Sequence, residues 1–337
     1  MKIIAGKLVG WGETLPAAGN TREPYIQMIE RIIERILGEN ESRIDELWML
    51  MRKMTFTGGY GVTTGAIAGI DIALWDLKGK RNSSPVHTLI RGNNASRSKG
   101  VPRYASLSRY SDNGKVQEAV RNLVESGYRE IKIHQSPRET LDAVRKIREN
   151  VGKDFDLMVD LNCGFSFEKA QEFMKKVERY ELKWIEEPVW PPDDFASLKK
   201  LNALGPVAAG ENFFSNHEFK RLLEEDSLSF YQPDVAKCGG ITALREMMQL
   251  FKKYRVRVAL HNRPHNGWIG IIASCHIASA FDVDTLIETP PNEIPDEFFH
   301  FKGSINKSHV QVQGPGLGIS PKEPIPESKA SKLLRFH

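Results

Sequence analysis

The sequence predicts an α/β protein: a parallel eight-stranded barrel with a smaller α+β unit ahead of it. Three observations carry that expectation. From Val101 onward, short apolar β-like runs alternate with amphipathic helical stretches, the pattern of strand–helix repeats. Three of those runs deliver an acid, Asp160, Glu186 and Glu211, about 25 residues apart, which is the length of one such unit. Before Val101 the pattern is different, with helical periodicity dominant and a polar stretch closing it. An open doubly wound sheet fits the same alternation, because periodicity alone does not show closure.

Residues 1–14 read as a strand pair, punctuated by Gly10, Gly12 and the turn after Glu13. Tyr25 to Leu37 has apolar residues at helical spacing and is closed by Gly38, and Ile44 to Met54 is a second amphipathic helix. Gly58, Gly59 and Gly61 make a loop. No Lys-Ser/Thr pair follows it, so a plain turn fits better than a phosphate cradle. Thr63 to Lys78 is apolar and rich in small residues, with Asp71 and Asp76 inside, a helix packed closely on its neighbours. Gly79 to Lys99 is polar and Gly/Asn/Ser-rich and is expected to be the connection between domains.

The barrel strands are expected at 102–107, 130–134, 156–162, 182–188, 207–212, 229–235, 257–261 and 284–289. Helical stretches lie between them at 115–126, 139–150, 167–180, 217–225, 242–254 and 268–280. The Gly/Pro-rich tail after Phe301 is expected to cross back to the first unit. The divisions that follow are 1–97, 98–303 and 304–337.

Composition narrows the function. With 47 Lys and Arg against 43 Asp and Glu in 337 residues, the formal charge is +4 and the basic residues are scattered, which argues against nucleic acid. The three cysteines, Cys163, Cys238 and Cys275, share no metal-binding spacing and point to a reducing compartment. No apolar stretch reaches membrane-spanning length and the start lacks a signal-peptide profile, so a cytoplasmic protein is expected.

Chemistry is expected where barrel strands end. Those ends offer Lys132 and His134, then Asp160, Glu186, Glu211, Asp234, His261 and Glu288. Loop solvation explains any one of them but not a charge at the same phase of seven successive units. The types fit together. Three carboxylates make a hard-oxygen site suited to Mg2+. A metal chelated by a substrate carboxylate acidifies the adjacent carbon. Lys132 adds positive charge to the same oxygens, His261 exchanges protons near neutral pH, Asp234 orients His261, and Glu288 hydrogen-bonds the developing anion. Cys163, a poor Mg2+ ligand, and His276, inside a helix, are read as packing, and His265 as a loop residue or a substrate contact.

On these residues the chain resembles the enolase superfamily, in the subgroup of mandelate racemase and the acid-sugar dehydratases. The likeness runs from about Lys7 to Gly318. It includes Val9-Gly-Trp-Gly-Glu13, the stretch from Ala68 to Lys80, Lys132-Ile-His134, Val159-Asp-Leu-Asn162, Trp184-Ile-Glu-Glu-Pro188, Ala209-Gly-Glu-Asn212, Gln232-Pro-Asp234, Cys238-Gly-Gly240, His261 and Ile287-Glu288. The resemblance implies a modified (β/α)7β TIM barrel with an α+β capping domain, a homo-oligomer between dimer and octamer, and a small sugar-acid substrate. It implies Asp160, Glu186 and Glu211 as Mg2+ ligands, Asp234 and His261 as a His–Asp dyad, and Glu288 as the acid that hydrogen-bonds the substrate carboxylate.

The muconate-cycloisomerase-like branch carries an Asp-Glu pair on the fifth strand and a catalytic Lys on the sixth. Here Gly210-Glu211-Asn212 and Asp234 stand at those places, and Lys237 reads as a loop lysine beyond the strand's reach. Two departures stand out. Many relatives have Lys-x-Lys on the second strand, where this chain has His134, either a base or a hydroxyl-binding residue. By the same resemblance, about 40 residues of the relatives' lead-in with its lid loop are expected to be missing ahead of Lys7. The expected activity is Mg2+-dependent dehydration of an aldonate-like acid to a 2-keto-3-deoxy acid. The alternatives are a racemase or epimerase of a 2-hydroxy acid and a non-catalytic barrel.

Overall fold

The computed structural model describes residues 1–15, 22–92, 100–263, 267–291, 299–322 and 335–336. The chain opens with the antiparallel pair β1 (Lys2–Ala5) and β2 (Leu8–Trp11), then the helices α1 (Arg22–Ile36), α2 (Ile44–Met54), α3 (Val62–Arg81) and α4 (Val86–Arg91). The middle of α3 is buried all round, which is why its sequence shows small and apolar residues on every face. Strand β2 lies directly on it: a Cβ at Gly10 or Gly12 would run into the carbonyl oxygens of Ala73 and Gly69. The polar stretch expected as a plain connection from Gly79 is partly helical, since α3 runs to Arg81 and α4 follows. Residues 93–99 lie outside the described residues.

The eight expected strands are present as β3 (Val101–Ser106), β4 (Glu130–Ile133), β5 (Asp156–Asp160), β6 (Ile185–Glu186), β7 (Val207–Ala209), β8 (Phe230–Tyr231), β9 (Val258–Leu260) and β10 (Thr285–Thr289). They hydrogen-bond in chain order, all parallel, and β10 pairs with β3, with Glu288 opposite Tyr104. That pairing closes the barrel and excludes the open sheet. The outer helices are α5 (Asn113–Glu125), α6 (Thr140–Asn150), α7 (Phe167–Val177), α8 (Phe195–Asn202), α9 (Asn216–Glu224), α10 (Gly240–Tyr254) and α11 (Trp268–Ala280). The side chains of Asp112 and Asp194 cap α5 and α8 by accepting from backbone N–H groups three residues on. After the barrel come β11 (Phe299–Phe301), β12 (Gly303–Ile305), β13 (His309–Val312), β14 (Ile319–Pro321) and β15 (Arg335–Phe336). Strand β13 runs antiparallel along the start of β3, and β15 pairs with β1, so the tail reaches back to the first strands. Among the described residues no helix is long and apolar enough to cross a membrane.

Strand alternation organises the barrel interior into two layers. The lower is apolar: Tyr104, Met158, Trp184, Ala208, Phe230, Ala259 and Leu286. Two residues further along β5, β6, β9 and β10, the same inward phase brings Asp160, Glu186, His261 and Glu288, all buried. The fold thus converts a period of two into a dry floor with an ionisable layer above it.

The first helices are fixed to the barrel by α3. Asp71 accepts from the Thr242 N–H at 2.9 Å and from its hydroxyl at 2.6 Å, and so caps the first turn of α10. Trp75 Nε1 donates to the same hydroxyl at 2.9 Å. Burial pushes the Asp71 carboxyl up to about 7, against the Thr242 hydrogen bonds that pull it down. A folded pKa above the unfolded value means stability that is greatest below about pH 4 and is lost as pH rises through about 7. Asp71→Asn keeps an acceptor for the Thr242 N–H and cannot ionise. It is expected to gain stability on the parent between pH 4 and pH 8, by ~1.4 kcal/mol for each tenfold change in proton affinity. Melting curves that differ by a constant amount across that range would contradict the account.

Candidate active site

The ionisable layer opens into a cavity of about 840 Å3 at the C-terminal mouth of the barrel, lined in part by His134, Asp160, Glu187, Glu211, Lys237 and His261. Of the strand-end residues singled out in the sequence, His134, Asp160, Glu211, His261 and Glu288 line this mouth, while Lys132, Glu186 and Asp234 lie behind it, tied to Glu288, Lys132 and His261 respectively. Lys132, fully buried, sits 2.5 Å from Glu186 Oε1, 3.0 Å from Glu288 Oε1 and 4.0 Å from Asp160 Oδ2. Burial alone would lower its pKa, but Glu186 and Glu288 hold it well above the ordinary lysine value. Glu186 also accepts from Trp184 Nε1 at 3.0 Å and Gln232 Nε2 at 2.7 Å.

His261 Nδ1 lies 2.7 Å from Asp234 Oδ2, and its Nε2 lies 2.8 Å from Glu211 Oε2 and 4.0 Å from Glu288 Oε2. Carboxylates at both nitrogens favour the protonated ring: burial opposes this, but Glu211, Glu288 and Asp234 raise its pKa well above the usual histidine value. Across the mouth, His134 Nδ1 is 2.6 Å from the Leu107 carbonyl, and Nε2 is 3.1 Å from Asp160 Oδ2. The carbonyl takes the Nδ1 proton, which leaves Nε2 as the atom that faces Asp160 and the cavity. Glu288 accepts from the Tyr104 hydroxyl at 3.2 Å and the Asn262 N–H at 3.3 Å.

One oxygen from each of Asp160, Glu186 and Glu211 lies within 4.8 Å of the others. The donor set is all carboxylate, the kind a hard cation takes. These acids are buried together, and the cations that neutralise them, Lys132, His134, Lys237 and His261, are bound to their oxygens. Such an all-carboxylate cluster fits Mg2+, which would take over from those cations as counter-charge to the three acids.

The family model described as enolase C-terminal domain-like matches residues 115–325, and that of the mandelate racemase / muconate lactonizing enzyme N-terminal domain matches residues 1–91. The chain belongs to the enolase superfamily. Arabinonate dehydratase of Saccharolobus solfataricus is 28% identical over 349 aligned positions, covering 98% of this chain and 91% of that protein. The crystal structure of the 3,6-anhydro-D-galactonate cycloisomerase from Zobellia galactanivorans superposes with a TM-score of 0.79 at 28% identity, over 93% of this chain and 88% of that one. A racemase from Streptomyces coelicolor A3(2) with bound magnesium gives 0.81 at 25% identity, over 93% and 86%.

Within this superfamily member, Glu187 and Lys237 are among the side chains whose place at the mouth escaped the sequence reading. Glu187 follows the inward Glu186, so strand alternation points it away from the barrel; its positive φ of 41° turns it back into the cavity. There it accepts from Asn212 Nδ2 at 2.8 Å and from the Cys163 thiol at 3.3 Å. Burial and the charges of Glu211 and Asp160 push its carboxyl up to about 8. The Glu-Glu doublet before Pro188 was the available signal. Lys237 lies in the turn after β8, as a loop lysine is expected to, but it is buried and its Nζ sits 2.9 Å from Glu211 Oε1. Cys163, read as packing, lines the cavity, and burial raises its thiol pKa, so it donates to Glu187 rather than acting as a thiolate. His276 is packing as expected, buried in α11 with its Nδ1 3.1 Å from His87 Nδ1. His265 lies outside the described residues. Of the loop glycines, Gly61 lines the cavity, and Gly210, at φ 144°, turns the chain just ahead of Glu211 and Asn212, which both reach the mouth.

Proposed function

We propose that this enzyme is a Mg2+-dependent dehydratase of sugar acids. It removes the α-proton of an aldonate-like carboxylate and eliminates the β-hydroxyl as water, leaving an enol that tautomerises to a 2-keto-3-deoxy acid. The observation that carries the reading is the His261–Asp234 dyad, 2.7 Å apart, set directly against the Asp160–Glu186–Glu211 cluster. The likeness to an arabinonate dehydratase supports the same reaction class.

Asp160, Glu186 and Glu211 would hold Mg2+, which supplies Lewis acidity to the substrate carboxylate and so acidifies the adjacent carbon. Lys132 Nζ keeps a fixed positive charge beside that position, and Glu288, once it holds a proton, donates to the acid end. Asp234 accepts a hydrogen bond from His261 Nδ1–H, so Nε2 is the atom that faces substrate and hands its proton to the departing hydroxyl. The α-proton goes to a ring nitrogen, Nε2 of His134 in an anti elimination or Nε2 of a neutral His261 that then passes it on in a syn one, and the C–H electron pair becomes the new double bond as the C–O pair leaves with the oxygen.

His134 decides between two versions of this chemistry. Its Nε2 faces the cavity from β4 while that of His261 faces it from β9, so both faces of a bound acid have an imidazole. A racemase needs both; a syn dehydratase needs only His261. Turnover in D2O followed by NMR separates them. Deuterium at the α-carbon of recovered substrate without water loss favours the racemase, and a 2-keto-3-deoxy product favours the dehydratase. If His134 is the α-base, His134→Asn loses α-proton exchange and product together, by roughly two to four orders of magnitude. Unchanged exchange and product formation would rule it out as a base.

A further inference from the structure

The charge at the mouth is distributed unevenly. On one side Lys132 neutralises Glu186 and Glu288. On the other, Glu211 and Glu187 are both buried, and Lys237 is hydrogen-bonded to Glu211 there. Its placement is built into the backbone. After β8 the chain makes a tight turn in which the N–H groups of Lys237 and Cys238 both donate to the Asp234 carbonyl, at 3.1 and 2.9 Å. The Ala236 N–H donates to the Asp234 carboxylate at 2.7 Å. The turn folds Lys237 back over the mouth, where its side chain is 11% exposed and Glu211 is its ion-pair partner among the described residues. A lysine this buried is stable only if paired.

The two oxygens of Glu211 are taken by different cations, Oε1 by Lys237 and Oε2 by His261. A metal ion that uses Glu211 therefore competes with a cation already there. We propose that Lys237 is the resident counter-ion of the metal-free site: it holds Glu211 when no metal is bound, and by competing for that carboxylate it weakens metal affinity. This makes Lys237 a positioning residue acting through Glu211. Its flexible four-carbon stem and single charged head let it give up the carboxylate and turn toward Glu187, where a rigid guanidinium fork would be more restricted. The inference rests on the reading of Asp160, Glu186 and Glu211 as the metal site, and it is tested by metal binding and stability rather than turnover.

The experiment uses the full chain, with Mn2+ as an EPR-visible probe and melting in EDTA and in saturating Mn2+. Lys237→Met is expected to bind Mn2+ about tenfold more tightly, because the metal no longer displaces a cation. It is also expected to melt several degrees lower than the parent in EDTA, with most of that loss recovered in Mn2+. Lys237→Arg, which keeps the charge, should restore both properties toward the parent values. Should Lys237→Met fold only with Mn2+, that too supports the counter-ion role. Should it not fold at all, Lys237→Gln retains a donor to Glu211 without the charge and is expected to show the tighter binding. Mn2+ affinity that is unchanged or weaker in Lys237→Met and Lys237→Gln, or melting of Lys237→Met in EDTA equal to the parent, overturns the proposal. A parent protein that binds no Mn2+ sinks the metal site itself, and the EDTA melts then still decide whether Lys237 holds the site together.

Discussion

Replacing His261 by Asn lowers turnover by about two to four orders of magnitude while the protein stays folded. The size follows from what the ring does. Its Nδ1 is held by Asp234 at 2.7 Å, so its Nε2 is presented at a fixed place beside Glu211 and Glu288. Asparagine can fill the same space and donate to one carboxylate, but it cannot carry a proton to or from substrate. The barrel wall there is made by β9 and β10, whose pairing does not involve the imidazole, so melting temperature should change little compared with turnover. Asp234→Asn should reduce activity in the same direction, because an amide no longer enforces the Nδ1–H tautomer. Steady-state kinetics with circular dichroism checks both. Turnover in His261→Asn within tenfold of the parent would remove the dyad from the mechanism.

The second large effect is at Glu211. Its carboxylate receives His261 Nε2 and Lys237 Nζ and offers one of the three clustered oxygens. Burial alone would raise its pKa, but the cationic His261 and Lys237 keep it well below the ordinary glutamate value, so it is held as an anion. Glu211→Gln removes that charge and places an amide N–H₂ against one of two groups that can only donate. Activity should fall below detection and Mn2+ binding should weaken by at least tenfold, a direction opposite to that expected at Lys237. Chelation of the parent by EDTA should abolish turnover, with recovery on adding Mg2+. Full activity in EDTA would contradict the metal role of all three acids.

Much of the barrel and its mouth was legible because both obey a period of two. Asp160, Glu186, His261 and Glu288 sit at the inward phase of their strands, two residues beyond Met158, Trp184, Ala259 and Leu286. A reader of alternating runs therefore finds the layer without coordinates. What escaped is set by the backbone outside the strands. Glu187 reaches the cavity through a left-handed φ that no strand pattern encodes, and Lys237 through a hydrogen-bonded turn that reverses the chain after Asp234. Strands β6 and β8 are each two residues long, so the apolar runs that predicted them extend well beyond the paired segment. Helix α8 follows Pro191 and Pro192 in a segment without a long apolar period and was not among the expected helices. The role of Asp71 was equally hidden, since its partner Thr242 lies 171 residues away.

The central claim is that the mouth of this barrel dehydrates a sugar acid with the help of Mg2+. The most direct measurement is to incubate the purified protein with a library of C4 to C6 aldonates and aldarates, with and without Mg2+, and to read 2-keto-3-deoxy acid formation. The account predicts at least one acid converted to a 2-keto-3-deoxy acid, only with the metal present and not by His261→Asn. Mg2+-dependent α-proton exchange without loss of the β-hydroxyl across the whole library would contradict it, as would no turnover of any acid by a protein shown to bind the metal.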